Sequence, residues 1–307
     1  MTTGLVQRLE RAWHPPAQLA QALAERWGPE GLIWLDGDGT ALGRWAVLAA
    51  DPLEQRCTRG LPGEPGSSDP FSALAALGTG HWCGWLSYEA AAWSEPAEHW
   101  RSDAMASLWI ARHDPVLQFD LQHRRLWIVG QDPARLQAMA DWIDSLPSVD
   151  DQPATARTKQ LEIPADGWRW QSPPAAFATG VARIRERIAS GDLFQANLTA
   201  CCCATLPASV AGGASAALEL FGRLRRQCPA PFAGLVVAAG EAAGEAVISA
   251  SPERFLQVDA SGHVETRPIK GTRPRHGNPR TDADLAAELV SSPKDRAENV
   301  MLSLIHI

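Results

Sequence analysis

Four short stretches carry side chains that could do chemistry. Residues 266–275 read TRPIKGTRPR, with Lys270 between a Pro-Ile pair and a glycine. Pro268 stiffens the backbone on one side and Gly271 allows close approach on the other. A lysine acts as a nucleophile when desolvation or a nearby cation lowers its pKa, and Arg267 and Arg273 are the cations at hand. Glu253 stands in SPERF, where a carboxyl at a strand end can serve as a general acid. Asp295 and Glu298, in SPKDRAENVM, are three apart on a predicted helix and share a face. Such a pair suits Mg²⁺, which takes a few carboxylates plus water and substrate oxygens. The fourth stretch is SGDLFQANLT, residues 190–199. Each signal also has an ordinary reading: a solvated loop lysine, a turn glutamate paired with Arg254, a wet helix face flanked by Lys294 and Arg296.

The elements that must position these residues follow from periodicity and turn chemistry. GLIWLDGDG, RWAVLAADP and HWCGWLSYEA read as strands ended by Asp and Gly signals, and LQFDLQHRRLWIVG reads as a hairpin. In DPARLQAMADWIDSL, Leu136, Met139, Trp142 and Leu146 form one helical face. Residues 147–160 are polar and aperiodic, the best linker or exposed loop. They separate a strand-rich region, 1–146, from a second region, 161–301. There a helix is predicted through SPPAAFATGVARIRERIASGD, with Ser172 as cap, Pro173 in its first turn and Ser190-Gly191 as its stop. LFQANLTACCCATL reads as a strand, SAALELFGRLRRQ as a helix, PFAGLVVAA and GEAVISASPE as strands. RFLQVDASGHVETRPI reads as a hairpin turning at DASG, TDADLAAELVSS as a helix, and Ser292-Pro293 as the start of another. Strands and helices mix without strict βαβ alternation, so the predicted class is α+β.

The 307 residues are 45% hydrophobic and 21% charged, an ordinary globular composition. A formal net charge of -7 with no basic block excludes nucleic acid as partner. No apolar run is long enough to span a bilayer, and MTTGLVQRLERAWHPP lacks the apolar core of a signal peptide, so the cytoplasm is expected. Six cysteines include the run Cys201-Cys202-Cys203 but no CxxC pair. Neighbours on a strand point to opposite faces and cannot share one metal, so they read as reduced, partly buried hydrophobes. The 13 tryptophans read as packing residues.

Taken in series, GWLSYEA, FQANLT, SPERF, RPIKGTRPR and KDRAENVM resemble the chorismate-utilising enzymes, over about residue 30 to Met301. The resemblance implies the mixed sheets and flanking helices of an anthranilate synthase component I-like fold. It also implies chorismate as substrate and Mg²⁺ as cofactor. Within the family, aminodeoxychorismate synthases look like PIKGT where anthranilate synthases look like PIAGT, and this chain has PIKGT. Lys270 is then the covalent nucleophile and Glu253 the acid. Gly271, Thr272 and Gln195 face the substrate, Glu298 is a Mg²⁺ ligand, and Asp295 lies near the metal or its water. A glutamine at 195, where salicylate and isochorismate synthases look lysine-bearing, cannot act as a base and counts against those branches. Ammonia would come from a separate glutamine amidotransferase subunit. Gly37 stands where tryptophan-binding members look serine-bearing, which counts against tryptophan binding and leaves it open.

The family resemblance also sets an expectation about the last residues. LSLIHI, residues 302–307, is what CTG TCT CTT ATA CAC ATC encodes, a transposon sequencing-adapter end, and is expected to be an assembly artefact. Family members run on past this point into further metal-binding glutamates. The chain as written is therefore expected to hold Mg²⁺ poorly and to be inactive. A non-catalytic binding relic is the rival reading from another class.

Overall fold

The computed structural model describes residues 5–147, 163–206 and 214–305, the last four as backbone only. Eight strands fill the first part: β1 (Gln7–Arg11), β2 (Ile33–Asp36), β3 (Trp45–Ala49), β4 (Glu54–Thr58), β5 (His81–Leu86), β6 (Leu108–His113), β7 (Val116–Asp120) and β8 (Arg125–Gly130). Helices α1 (Pro16–Trp27), α2 (Pro70–Ala75) and α3 (Pro133–Ser145) lie between and after them. β9 (Trp168–Trp170), α4 (Pro174–Ala189), β10 (Cys202–Ala204), α5 (Ala214–Gln227), β11 (Phe232–Val237) and β12 (Ala246–Ser251) follow. The short β13 (Gln257–Val258) and β14 (Val264–Glu265) then lead to α6 (Pro279–Ser291) and α7 (Pro293–Ile305). This is the α+β pattern expected from the sequence.

One antiparallel sheet dominates, in the order β1-β8-β7-β3-β2-β11-β12. It draws strands from both sides of the polar segment, whose residues from 148 on lie outside the described ones. Alternation along its strands sends side chains to two separate cores, as a period of two requires. On one face Trp34, Leu48, Phe119, Leu126, Ile128 and Leu235 pack against Leu19 and Leu23 of α1, Leu136 and Ile143 of α3, and Phe221 of α5. On the other, Ile33, Ala49, Val116, Trp127, Val129 and Val236 meet Trp109 and Ala111 of a smaller sheet, β4-β6-β5. The tryptophans serve as packing residues: Trp34 meets Phe221 edge-on at 4.9 Å and Trp85 stacks on Trp109 at 5.4 Å. An ion pair between the half-buried Arg225 and the buried Asp36, at 2.7 Å, ties the end of α5 to β2.

Two local expectations need correction. Pro173, not Ser172, takes the cap position of α4, without a side-chain bond, and Pro174 opens the helix. The cause is steric: a following proline drives Pro173 into an extended conformation, ψ 147°. The strand expected through LFQANLTACCCATL shrinks to Cys202–Ala204, because its partner β9 offers only Trp168–Trp170 as a ladder. Cys201 and Cys203 are exposed free thiols and Cys202 is half-buried. No described helix is long and apolar enough to cross a membrane.

Candidate functional site

The sequence between Glu253 and Lys270 closes on itself. Past β12, the edge strand of the large sheet, Ser251 Oγ donates to the Glu253 carbonyl at 2.9 Å and accepts from its N–H at 3.2 Å. The chain then makes the predicted hairpin. At its tip Asp259 Oδ1 accepts from the N–H groups of Ser261 at 2.8 Å and His263 at 3.0 Å. These bonds hold the Asp259 carboxyl below its ordinary pKa, the Ser261 hydroxyl contributing most. The two arms are stitched at their base. Arg254 pairs with Glu265, and Thr266 Oγ1 donates to the Phe255 carbonyl at 2.7 Å. Glu253 Oε1 accepts the Ile269 N–H at 3.1 Å. The general-acid candidate is thereby fixed to the residue next to the nucleophile candidate.

Lys270 is half-buried and lines a hollow of about 320 Å³ with Gly271, Leu289, Asp295, Arg296 and Asn299. α6 and α7 form its far wall. Asn278 caps α6 by accepting from the Arg280 N–H at 2.9 Å, and Ser292 Oγ accepts the Asp295 N–H at 3.3 Å at the start of α7. Gly271 is required where it stands. A Cβ there would lie 2.6 Å from Asp295 Cγ and 2.8 Å from Leu289 Cδ1. Thr272 is exposed, and its carbonyl accepts from Arg273 Nη1 at 3.0 Å.

The flanking arginines do not do what the sequence suggested. Arg267 is paired with Glu265 at 2.9 Å. Arg273 Nε donates to Glu288 at 2.8 Å, and its Nη2 lies 3.5 Å from Asp295. Each is already offset by a carboxylate, so neither is an unopposed cation beside Lys270. Glu265 and Glu288 were not singled out in the sequence. Their role depends on partners up to 15 positions away across a turn and a helix start, a pairing no local spacing announces.

Asp295 and Glu298 share α7 but open onto different hollows. Glu298 lines a second one, about 560 Å³, with Lys294, Phe194, Leu193 and Ile188. Lys294 is 3.9 Å from Glu298, while Asp295 faces Arg273. Among the described residues no group of three acidic, histidine or cysteine side chains converges as a metal centre. The two carboxylates, each facing a cation, do not by themselves fit Mg²⁺, which needs about six oxygens. Gln195 is exposed and lines neither hollow. Gly37, just past β2, packs so tightly that a Cβ would meet the Gly43 carbonyl at 2.0 Å, leaving a serine no room there.

The chain is similar to proteins of known activity. The family described as chorismate binding enzyme matches residues 16–305. Anthranilate synthase component 1 of Streptomyces coelicolor is 34% identical over 272 residues, covering 80% of this chain and 51% of that protein. Aminodeoxychorismate synthase component 1 of Bacillus subtilis is 30% identical over 237 residues, 71% of this chain and 45% of that protein. An aminodeoxychorismate synthase of Streptomyces pristinaespiralis is 30% identical over 197 residues, 62% of this chain and 26% of that one. The chain thus spans about half, or less, of the length of these relatives. Among solved structures, anthranilate synthase component I from Streptococcus pneumoniae superposes with a TM-score of 0.58 at 20% identity, over 85% of this chain and 60% of the other.

Proposed function

Because the chain belongs to the chorismate binding enzyme family, we propose that it is part of an aminodeoxychorismate synthase component I, which aminates chorismate at ring carbon 4. The observation that carries this reading is Lys270 in PIKGT, with Glu253 bonded to the adjoining Ile269 N–H. The Lys270 nitrogen attacks ring carbon 2. The ring double bond shifts, and the hydroxyl at carbon 4 departs as water with a proton from Glu253. Ammonia then adds at carbon 4, the double bond returns, and the Lys270 nitrogen leaves carbon 2. The sum is chorismate plus ammonia to 4-amino-4-deoxychorismate plus water, a precursor of 4-aminobenzoate and folate. Gly271 and Thr272 form the backbone that the substrate approaches, with Gln195 on the carbon 2 side.

The reading includes a glutamine amidotransferase subunit as ammonia source and a cytoplasmic location. It also includes Mg²⁺, with Glu298 as ligand and Asp295 near its water. Two ion-paired carboxylates cannot hold that ion alone, so no step above passes through it. Anthranilate synthase component I is the second reading, favoured by the similarity to the Streptomyces coelicolor enzyme.

The test is a product assay on the full-length protein with chorismate and ammonium, with and without Mg²⁺ after chelation. The expected product is 4-amino-4-deoxychorismate, dependent on Mg²⁺. Lys270→Ala should lower its formation roughly 10³-fold or more and abolish the covalent peptide adduct seen by mass spectrometry. Unchanged amination by that variant overturns the nucleophile role. Anthranilate as product selects the second reading, and no turnover at all selects a binding relic.

A further inference from the structure

The loop that carries Lys270 is anchored at both ends, and the second anchor has no assigned role. At its start the Ile269 N–H is held by Glu253 at 3.1 Å. At its end Arg273 reaches three ways. Its Nη1 donates to the Thr272 carbonyl at 3.0 Å, its Nε to Glu288 of α6 at 2.8 Å, and its Nη2 lies 3.5 Å from Asp295 of α7. The Asp295 and Arg273 side chains are 15% and 25% exposed, so that contact is partly withdrawn from water, where a charge-assisted contact is stronger, while Glu288 meets Arg273 at the surface. The contact also brings Asp295 against the α-carbon of Gly271, where even a methyl group would not fit. The guanidinium therefore ties residues 272 and 273 to two helices, while Glu253 holds residue 269 at the other end of the loop.

We propose that Arg273 is a positioning residue that sets Lys270 for attack by clamping the PIKGT loop to α6 and α7 through Glu288 and Asp295. The proposal rests on Lys270 being the nucleophile. The planar fork of arginine is needed, because it can address two carboxylates in fixed directions, and a lysine ammonium is a single point charge on a flexible stem. A reacting atom misplaced by about 1 Å can cost roughly 10²-fold in rate, which is the size of effect a lost clamp should have.

The experiment uses the full-length protein with chorismate and ammonium. Arg273→Ala is expected to lower kcat by roughly 30–100-fold while KM for chorismate moves less than about 3-fold. Arg273→Lys should restore only part of that loss. Glu288→Gln, at a side chain that is 61% exposed and so no threat to folding, should lower kcat by about 3–10-fold with KM again steady. A second readout does not depend on turnover: amide hydrogen exchange at residues 269–272 should quicken in both Arg273→Ala and Glu288→Gln. Normal kcat in Arg273→Ala, or exchange at the wild-type rate in both variants, overturns the clamp. If Lys270→Ala still aminates chorismate while exchange quickens as expected, the clamp stands as structure and the nucleophile reading is what has failed.

Discussion

At Gly271 the geometry allows a sharp expectation. Any side chain there would put a carbon 2.6 Å from the Asp295 carboxyl carbon, so either the loop lifts or α7 shifts. Gly271→Ala should therefore lower the rate of chorismate amination about 10–100-fold while changing thermal stability little, since the loop is half-exposed. Matched kcat and Tm measurements check this, and an unimpaired rate would show that the loop has slack. Lys270 and Glu253 could be singled out as candidates in the sequence because their neighbours, proline, glycine and a strand end, are local. Arg273 was legible only as a charge. Its partners Glu288 and Asp295 lie on two helices whose placement is a tertiary fact. The supposed activating cations turned out to be neutralised for the same reason.

In the first 147 residues β2, β3, β5, the β7–β8 pair and α3 were readable, while β1, α1, β4, α2 and β6 were not. α3 is the clearest case: Leu136, Met139 and Trp142 are buried as the spacing predicts. Asp132 caps it, accepting from the Ala134 N–H at 2.9 Å and the Arg135 N–H at 3.1 Å. Asp132→Ala should cost about 1 kcal/mol of stability, measured by denaturant unfolding with an unchanged m-value. In the second region α4 to α7, β11, β12 and the β13–β14 hairpin were readable too, but not what covers them. α4 and α6 bury no residue, and Phe194 and Phe255 are 61% and 83% exposed. Hydrophobic spacing announces that a face wants cover but not which segment covers it. That is why the long strand predicted through FQANLT has only three paired residues.

For the molecule as a whole, His113 links stability to acidity. It is buried in β6 beneath the main sheet, its Nε2 at 3.0 Å from the Gly31 carbonyl and its Nδ1 without a partner. Desolvation by burial pushes its pKa down to about 4. The unfolded chain, with an ordinary histidine near 6.5, binds the proton more readily. Stability from the neutral ring is thus present above about pH 6.5 and is lost as pH falls toward about 4, at a slope of about 1.4 kcal/mol per pH unit. Tm measured from pH 7.5 to 4 should fall, and His113→Gln should be less stable at neutral pH but flatter across that window. Parallel curves would show that other groups govern the acid limb.

The order of strands in the large sheet has a consequence in time. β2 pairs on one side with β3, its near neighbour in sequence, and on the other with β11, beginning at Phe232. A nascent chain that has emerged through β8 can assemble β1, β8, β7, β3 and β2, but the outer edge of Ile33–Asp36 must wait for roughly 100 further residues, from Gly130 to Phe232. At about 5–20 residues per second that wait is on the order of 5–20 s on the ribosome. During it a short apolar edge stands open to other chains, and its unpaired amides and carbonyls can template association. Synthesis speed across the stretch before Phe232, and any chaperone that shields strand edges, therefore bear directly on the yield of this protein.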